Sequence, residues 1–241
     1  MGLEADDAFV AQALARAAER VRPEPGDKSF LEKRLAAAVA ESLADGFFNP
    51  DAVVRDRKLA NCELPGWDPQ PGTIDVAVVT PEREPRIVFE LKIDDIEWTL
   101  WDIYKMVAAS DLPTVEAAYV VVVGQPALWN GSRECVELFD LDYGHADGTV
   151  DSTEWYARFL FSHYRKSWQD LLGGGRGRLT SVPDSIWINA VGSWPIPHYP
   201  GYELRAVRVW PSSRGEDALD FAGDWPTAPP NPSGPDHGGH P

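Results

Sequence analysis

The sequence predicts an α/β protein built on a mixed β-sheet flanked by helices. A helix, a hairpin, a second helix and a strand follow one another along the first half of the chain, an order typical of this class. The strand predicted at 117–124 (AAYVVVVG) is apolar on both faces, which indicates a central, covered strand. Of the 241 residues, 44% are hydrophobic, enough for a sizeable core. We expect one domain over 1–223 and a disordered Pro/Gly-rich tail over 224–241.

The first 46 residues predict two helices. Apolar side chains recur at helical spacing over 5–22, and the segment PEPGD at 23–27 ends this helix. Ser29 and Glu32 then have the spacing of a capping box, which starts a second amphipathic helix that Gly46 ends. The domain therefore begins with an N-terminal helix ahead of the predicted core.

Alternating and β-branched segments predict the strands. We predict a short strand at 53–59, a loop at 61–72, hairpin strands at 73–80 and 86–93, a helix at 98–110 and the strand at 117–124. Beyond them we predict an irregular stretch at 125–152 with a strand at 135–139, a long helix at 153–172 and strands at 185–191 and 202–209. These later elements form a C-terminal extension of the sheet.

Charge and cysteine content exclude several classes of protein. The formal net charge is −16, and residues 61–150 hold 17 acidic and 5 basic side chains. This balance argues against a protein that coats nucleic acid electrostatically, because such binding relies on Lys and Arg. Two cysteines, Cys62 and Cys135, exclude a disulfide scaffold. With no apolar run long enough to span a membrane and no secretory signal, we expect a cytoplasmic protein without a membrane partner.

Ionisable residues stand in the two hairpin strands among strongly apolar neighbours. Because side chains alternate along a strand, Glu90 and Lys92 share one face of their strand, and Asp75 lies on one face of the other. If the strands pair, the three side chains converge. Two carboxylates suit Mg²⁺, which usually takes one or two protein carboxylates and keeps several waters. A neighbouring lysine can orient such a water or stabilise developing charge.

Asp75, followed fifteen residues later by Glu90-Leu91-Lys92 on the next strand, resembles the core of the PD-(D/E)XK nuclease superfamily. The resemblance covers about 29–124 and implies a restriction-endonuclease-like fold. Ile74, rather than proline, precedes Asp75, a position that varies within the superfamily.

The resemblance implies Mg²⁺-dependent hydrolysis of phosphodiester bonds, with DNA as the expected substrate and Mn²⁺ as a substitute ion. Asp75, Glu90 and the backbone carbonyl of Leu91 would bind the metal, and Lys92 would position or activate water. An acidic residue on the preceding helix often joins such sites, which here is Glu32 or Glu41. A polar residue on the following helix often faces them, which here is Lys105.

The remaining candidates for contact with nucleic acid are basic residues near the predicted long helix. They are Arg165, Lys166, Arg176 and Arg178. This basic patch is thin, so we expect contact with DNA to come from a local basic face or from a partner, either a second copy of the chain or another protein.

Structural interpretations compete with these roles. Glu90 and Lys92 can form an ion pair on a half-exposed strand, Glu32 can serve the capping box alone, and Lys105 can extend from an amphipathic helix into solvent. The alternative function is a catalytically inactive copy of the fold that acts as an acidic protein-binding module, for which the net charge of −16 is the supporting feature. A weaker alternative is a role in assembly, with the Pro-rich tail as a tether.

Overall fold

The computed structural model describes residues 7–23, 32–46, 52–58, 67–68, 73–131, 149–151, 178–179 and 185–211. The helices in these ranges are α1 (Asp7–Arg20), α2 (Glu32–Ala44), α3 (Ile96–Ala109) and α4 (Pro126–Gly131). The strands are β1 (Val53–Lys58), β2 (Trp67–Asp68), β3 (Thr73–Val79), β4 (Pro85–Ile93), β5 (Ala117–Gly124), β6 (Thr149–Asp151), β7 (Arg178–Leu179), β8 (Ser185–Pro195) and β9 (Glu203–Pro211).

Seven of the described strands form one mixed sheet, in the order β1-β3-β4-β5-β9-β8-β6. β4 and β5 run parallel and α3 connects them, whereas the other neighbours in this sheet are antiparallel. β2 and β7 pair with each other in a separate two-stranded ladder. The predicted α/β class and mixed sheet are confirmed, as is the hairpin of β3 and β4. β5 lies at the centre with every residue buried, as its apolar sequence predicts.

One face of the sheet carries a continuous apolar core with α1 and α2. Their buried side chains form one cluster with residues of β3, β4 and β5, among them Phe89 and Tyr119. These two rings stack with their centroids 5.1 Å apart. The Tyr119 hydroxyl donates a hydrogen bond of 2.7 Å to Asp7 Oδ1, which ties the start of α1 to the central strand. Apolar side chains of α1 and α2 therefore cover the middle of this face of the sheet.

The opposite face is covered by α3, which contacts β4, β5 and β9. Val88, Glu90 and Lys92 of β4 lie beside Ala118, Val120 and Val122 of β5 in the parallel register. The charged residues of β4 are therefore flanked by apolar neighbours on the next strand. This placement positions the candidate site described below, at the end of β4, where Lys92 lies near one residue of α2 and one of α3.

Several boundaries differ from the sequence prediction. α4 lies in a stretch predicted to be irregular, and its first residue, Pro126, is a favourable first residue for a helix. β2 lies in the predicted loop at 61–72. β8 continues to Pro195 because a register irregularity between Ala190 and Gly192 lets pairing with β9 resume. The capping box at Ser29, the strand at 135–139, the helix at 153–172, both cysteines and the tail at 224–241 lie outside the described residues.

Candidate functional site

The candidate site lies where β3 and β4 stop pairing with each other. Their register pairs Val76 with Phe89, and one step further the same register sets Asp75 opposite Glu90. The backbone N–H of Leu91 donates a hydrogen bond of 2.8 Å to Asp75 Oδ2. The Asp75 side chain thus occupies the space between the two strands and bridges them beyond their last paired residues. The two carboxylates lie on the same face of adjacent strands, as the alternation of side chains predicts, and Asp75 is near enough to raise the pKa of Glu90 by repulsion.

Glu90 is buried at this point, with 3% of its surface exposed. Its Oε1 accepts a hydrogen bond from the ammonium group of Lys105, which is itself 6% exposed. The same ammonium group donates a hydrogen bond of 2.7 Å to the backbone carbonyl of Thr73. Lys105 therefore reaches from α3 across β4 to the start of β3. Its position satisfies a carboxylate that would otherwise be buried without a counter-charge.

Lys92 forms a second group of ion pairs beside the first. Its Nζ lies 3.1 Å from Asp102 Oδ2 and 3.8 Å from Glu32 Oε2. Asp102 belongs to α3 and is 4% exposed, whereas Glu32 is the first residue of α2 and is partly exposed. Asp102 Oδ2 is buried, and within the described part of the chain it accepts no hydrogen bond of regular geometry. The Lys92 ammonium is the charge that balances it.

Burial dominates the electrostatics of the three acidic groups. Burial raises the pKa of the Glu90 carboxyl well above its ordinary value, Asp102 adds to this by repulsion, and Lys105 opposes it. Burial also raises the pKa of Asp102 to about 6, against the attraction of Lys92 and Lys105. Glu32 is affected in the same direction by partial burial, which raises its pKa. These acids bind protons more readily than free carboxyl groups because the site has removed water from around them.

At Lys92 burial and the neighbouring charges act against each other. Burial alone would lower its pKa, but Asp102 and Glu32 together raise it above its ordinary value. Lys92 therefore stays protonated near neutral pH and acts as a fixed positive charge with hydrogen atoms to donate. This protonation state favours water positioning or charge stabilisation over proton abstraction.

The donor set agrees in kind with a hard divalent cation. Asp75 and Glu90 provide carboxylate oxygens, and Mg²⁺ usually takes one or two of these from a protein. N–H and C=O of one residue in an extended strand project to the same side, so the Leu91 carbonyl is expected to project toward β3, as its N–H does. Within the described residues, no three His, Cys, Asp or Glu side chains are grouped so as to hold a metal ion. Any cation here would depend on two carboxylates, carbonyl groups and water.

The structure brings together the five side chains that the sequence singled out for catalysis. They are Glu32, Asp75, Glu90, Lys92 and Lys105. The alternative acid Glu41 is exposed and lies nine residues along α2 from Glu32, about 14 Å at the usual helical rise. It does not belong to this group.

Asp102 is the member that sequence reasoning missed. It precedes Lys105 by three residues, a spacing that places both on one face of α3. Once Lys105 is assigned to the site, that spacing is the signal by which Asp102 could have been found.

The predicted nucleic-acid contacts are not part of this group. Arg165, Lys166 and Arg176 lie outside the described residues, and Arg178 lies in β7, paired with Asp68 of β2. No helix in the described ranges is long and apolar enough to cross a membrane. Comparison of the chain with family models, curated proteins and solved structures finds no match.

Proposed function

We propose that this chain is a metal-dependent nuclease of the PD-(D/E)XK type, with a restriction-endonuclease-like core, that hydrolyses phosphodiester bonds in DNA. The observation that carries the proposal is the meeting of Asp75 and Glu90 between β3 and β4, with Lys92 beside them on the same face. The sequence resemblance names the same three residues. Two carboxylates with a neighbouring lysine are also the groups that a hard cation and its attacking water require.

Each residue has a role that follows from its position. Asp75, Glu90 and the Leu91 carbonyl would hold the Mg²⁺ ion, for which Mn²⁺ can substitute. When bound, such an ion polarises a phosphate and lowers the pKa of a bound water. The fixed positive charge of Lys92 would orient the attacking water and stabilise negative charge on the phosphate in the transition state.

Asp102 and Glu32 position Lys92 rather than touching the substrate. Asp102 lies 3.1 Å from the Lys92 ammonium and is almost wholly buried, so it fixes that ammonium against α3. Glu32 lies at 3.8 Å and is partly exposed, so it stands nearer to solvent. In this arrangement Glu32 can also complete the set of oxygen ligands, as the resemblance implies.

Cation binding and cleavage test the proposal directly. Calorimetry with Mg²⁺ and Mn²⁺ compares the wild type with Asp75→Asn and Glu90→Gln, and Asp45→Asn serves as the control that removes an exposed carboxylate elsewhere. We expect the first two substitutions to abolish binding and the control to keep it. Cleavage of single-stranded DNA, duplex DNA and RNA should fall by at least about a hundredfold in both site variants. Equal binding, or equal absence of binding, in all four proteins would overturn the proposal.

One observation favours the second candidate, a catalytically inactive copy of the fold that binds another protein. The Glu90 carboxylate is already balanced by Lys105, so the buried pair is electrostatically satisfied without any other cation. The net charge of −16 also suits an acidic surface that repels DNA and attracts a basic partner. On this hypothesis the chain binds no divalent cation, and Asp75→Asn leaves association with the partner unchanged.

A further inference from the structure

The least ordinary feature of the site is the buried ammonium group of Lys105. Lysine is rarely buried unless it is paired, and here its head group lies inside the protein at 6% exposure. Its described partners are both oxygen atoms, the Glu90 carboxylate and the Thr73 carbonyl. A protein site for a hard cation presents the same kind of oxygen shell.

This ammonium group already occupies one carboxylate of the expected metal site, that of Glu90. Thr73 is two residues before Asp75 on the same face of β3, and Glu90 lies across from Asp75 on β4. The Lys105 head group therefore lies between the two strands that carry the carboxylates. Two positive charges cannot share one buried carboxylate at contact distance without strong repulsion.

Asp102 offers Lys105 another partner close by. It lies one helical turn away on α3, and the charge of Lys105 opposes the rise in its pKa that burial causes. A Lys105 ammonium group that leaves Glu90 would therefore still have an acidic group of the site as a partner, shared with Lys92. This second position makes an exchange of cations on Glu90 feasible without exposing a buried ammonium group.

We propose that Lys105 and a divalent cation compete for the Glu90 carboxylate, so that Lys105 sets the affinity of the site for metal. This inference rests on the proposed metal site and deepens it. Lys105 thereby weakens cation binding and stabilises the fold when metal is scarce. A nuclease so built binds its ion only where the ion is abundant or where bound substrate supplies further ligands.

The test is calorimetry with Mn²⁺ on Lys105→Gln, which removes the charge and keeps a side-chain donor for the Thr73 carbonyl. We expect the Kd for Mn²⁺ of Lys105→Gln to be at least about tenfold lower than that of the wild type. Adding Asp75→Asn to this variant should abolish the gain in affinity. Titrations at about pH 8.5 limit competition from protons, the other cation that can occupy Glu90. Lys33→Gln is the matched control, because it removes the same charge from an exposed position on α2 beside Glu32.

Thermal unfolding gives a readout that is independent of activity. Without added cation, Lys105→Gln should melt below the wild type, and Mn²⁺ should raise its midpoint by more than it raises that of the wild type. If the variant is unfolded without cation, Mn²⁺ should restore its folding at concentrations below the Kd of the wild type for this ion. Failure to restore it would overturn the inference.

The outcomes separate the two proposals. If the wild type binds Mn²⁺ through Asp75 but Lys105→Gln binds no tighter, the metal site stands and competition by Lys105 is wrong. If neither protein binds the ion, the metal site fails and the inference fails with it. If both proteins bind the ion through Asp75 and Lys105→Gln binds it at least about tenfold more tightly, both proposals are supported.

Discussion

The two faces of β4 differ sharply although they belong to one strand. Ile87, Phe89 and Leu91 pack with side chains of the helices α1 and α2 in one apolar cluster. On the other face Glu90 and Lys92 are held by side chains of α3. Both faces are well packed and largely buried, so the contrast lies in chemistry rather than in solvent access.

This contrast separates residues that stabilise the fold from residues that are proposed to act in catalysis. Apolar burial contributes favourable free energy roughly in proportion to area. Buried ion pairs often contribute nothing, because desolvation of two charges offsets their attraction, and apolar replacements of similar volume are often neutral or stabilising. Apolar burial therefore accounts for stability on this face, whereas the proposed function would give the charged pairs of the other face a role.

Phe89→Ala is expected to have the largest effect on folding. The ring is fully buried and stacks on Tyr119, so its removal should lower the free energy of unfolding by about 3–5 kcal/mol. Urea unfolding measures this change. Because the side chain projects away from the site, the folded variant should keep its affinity for Mn²⁺ within about twofold. Loss of Mn²⁺ binding by folded protein would show that the two faces are not independent.

The apolar face was accessible from the sequence because its signal is periodic. Alternation in RIVFELKI and the continuous apolar run at 117–124 predict which strands are half-covered and which is central. The same alternation predicts that Asp75, Glu90 and Lys92 share a face. Each of these conclusions needs only local geometry and one pairing of strands.

Lys105→Met tests the charged face and ranks second. Glu90 would lose its counter-charge while remaining buried, which should cost about 3 kcal/mol in the free energy of unfolding. The double variant Glu90→Leu with Lys105→Met removes both charges and should lie within about 1 kcal/mol of the wild type, or above it. Urea unfolding of the wild type, Lys105→Met, Glu90→Leu and the double variant measures the coupling between the two residues. Additive losses in the double variant would mean that Glu90 and Lys105 do not interact, which contradicts the ion pair.

Asp102 escaped sequence analysis for a physical reason. An acid on an amphipathic helix is ordinarily exposed, and nothing local distinguishes this residue from such an acid. It is buried because α3 lies across β4, which brings the helix against Lys92. The pairing of Lys105 with Glu90 has the same origin, because it depends on the distance between a helix and a strand. Such contacts are set by tertiary packing.

The pH dependence of stability, compared between the wild type and Asp102→Asn, tests Asp102 and is a smaller effect. Its pKa in the fold is about 6, above the ordinary value of 3.8. Its contribution to stability is therefore fully present below the unfolded pKa and is lost as the pH rises through about 6. Between about pH 5 and pH 7 the loss should be about 1 kcal/mol. Urea unfolding at both pH values measures the fall in the free energy of unfolding. This fall should be smaller in Asp102→Asn than in the wild type by the same amount. An equal fall in both proteins would contradict the raised pKa of Asp102.

The smallest effect on stability is expected at an exposed ion pair, which serves as the reference for the buried pairs. Asp45 pairs with Arg20 at the ends of α2 and α1, and its side chain is 52% exposed. Water already solvates both groups there, so Asp45→Asn should change the free energy of unfolding by less than about 1 kcal/mol. Arg20 keeps its hydrogen bond to Ser42 Oγ in either case. A loss of unfolding free energy as large as that of Lys105→Met would contradict this expectation. It would mean that the effect of breaking an ion pair in this protein does not depend on whether the pair is buried or exposed.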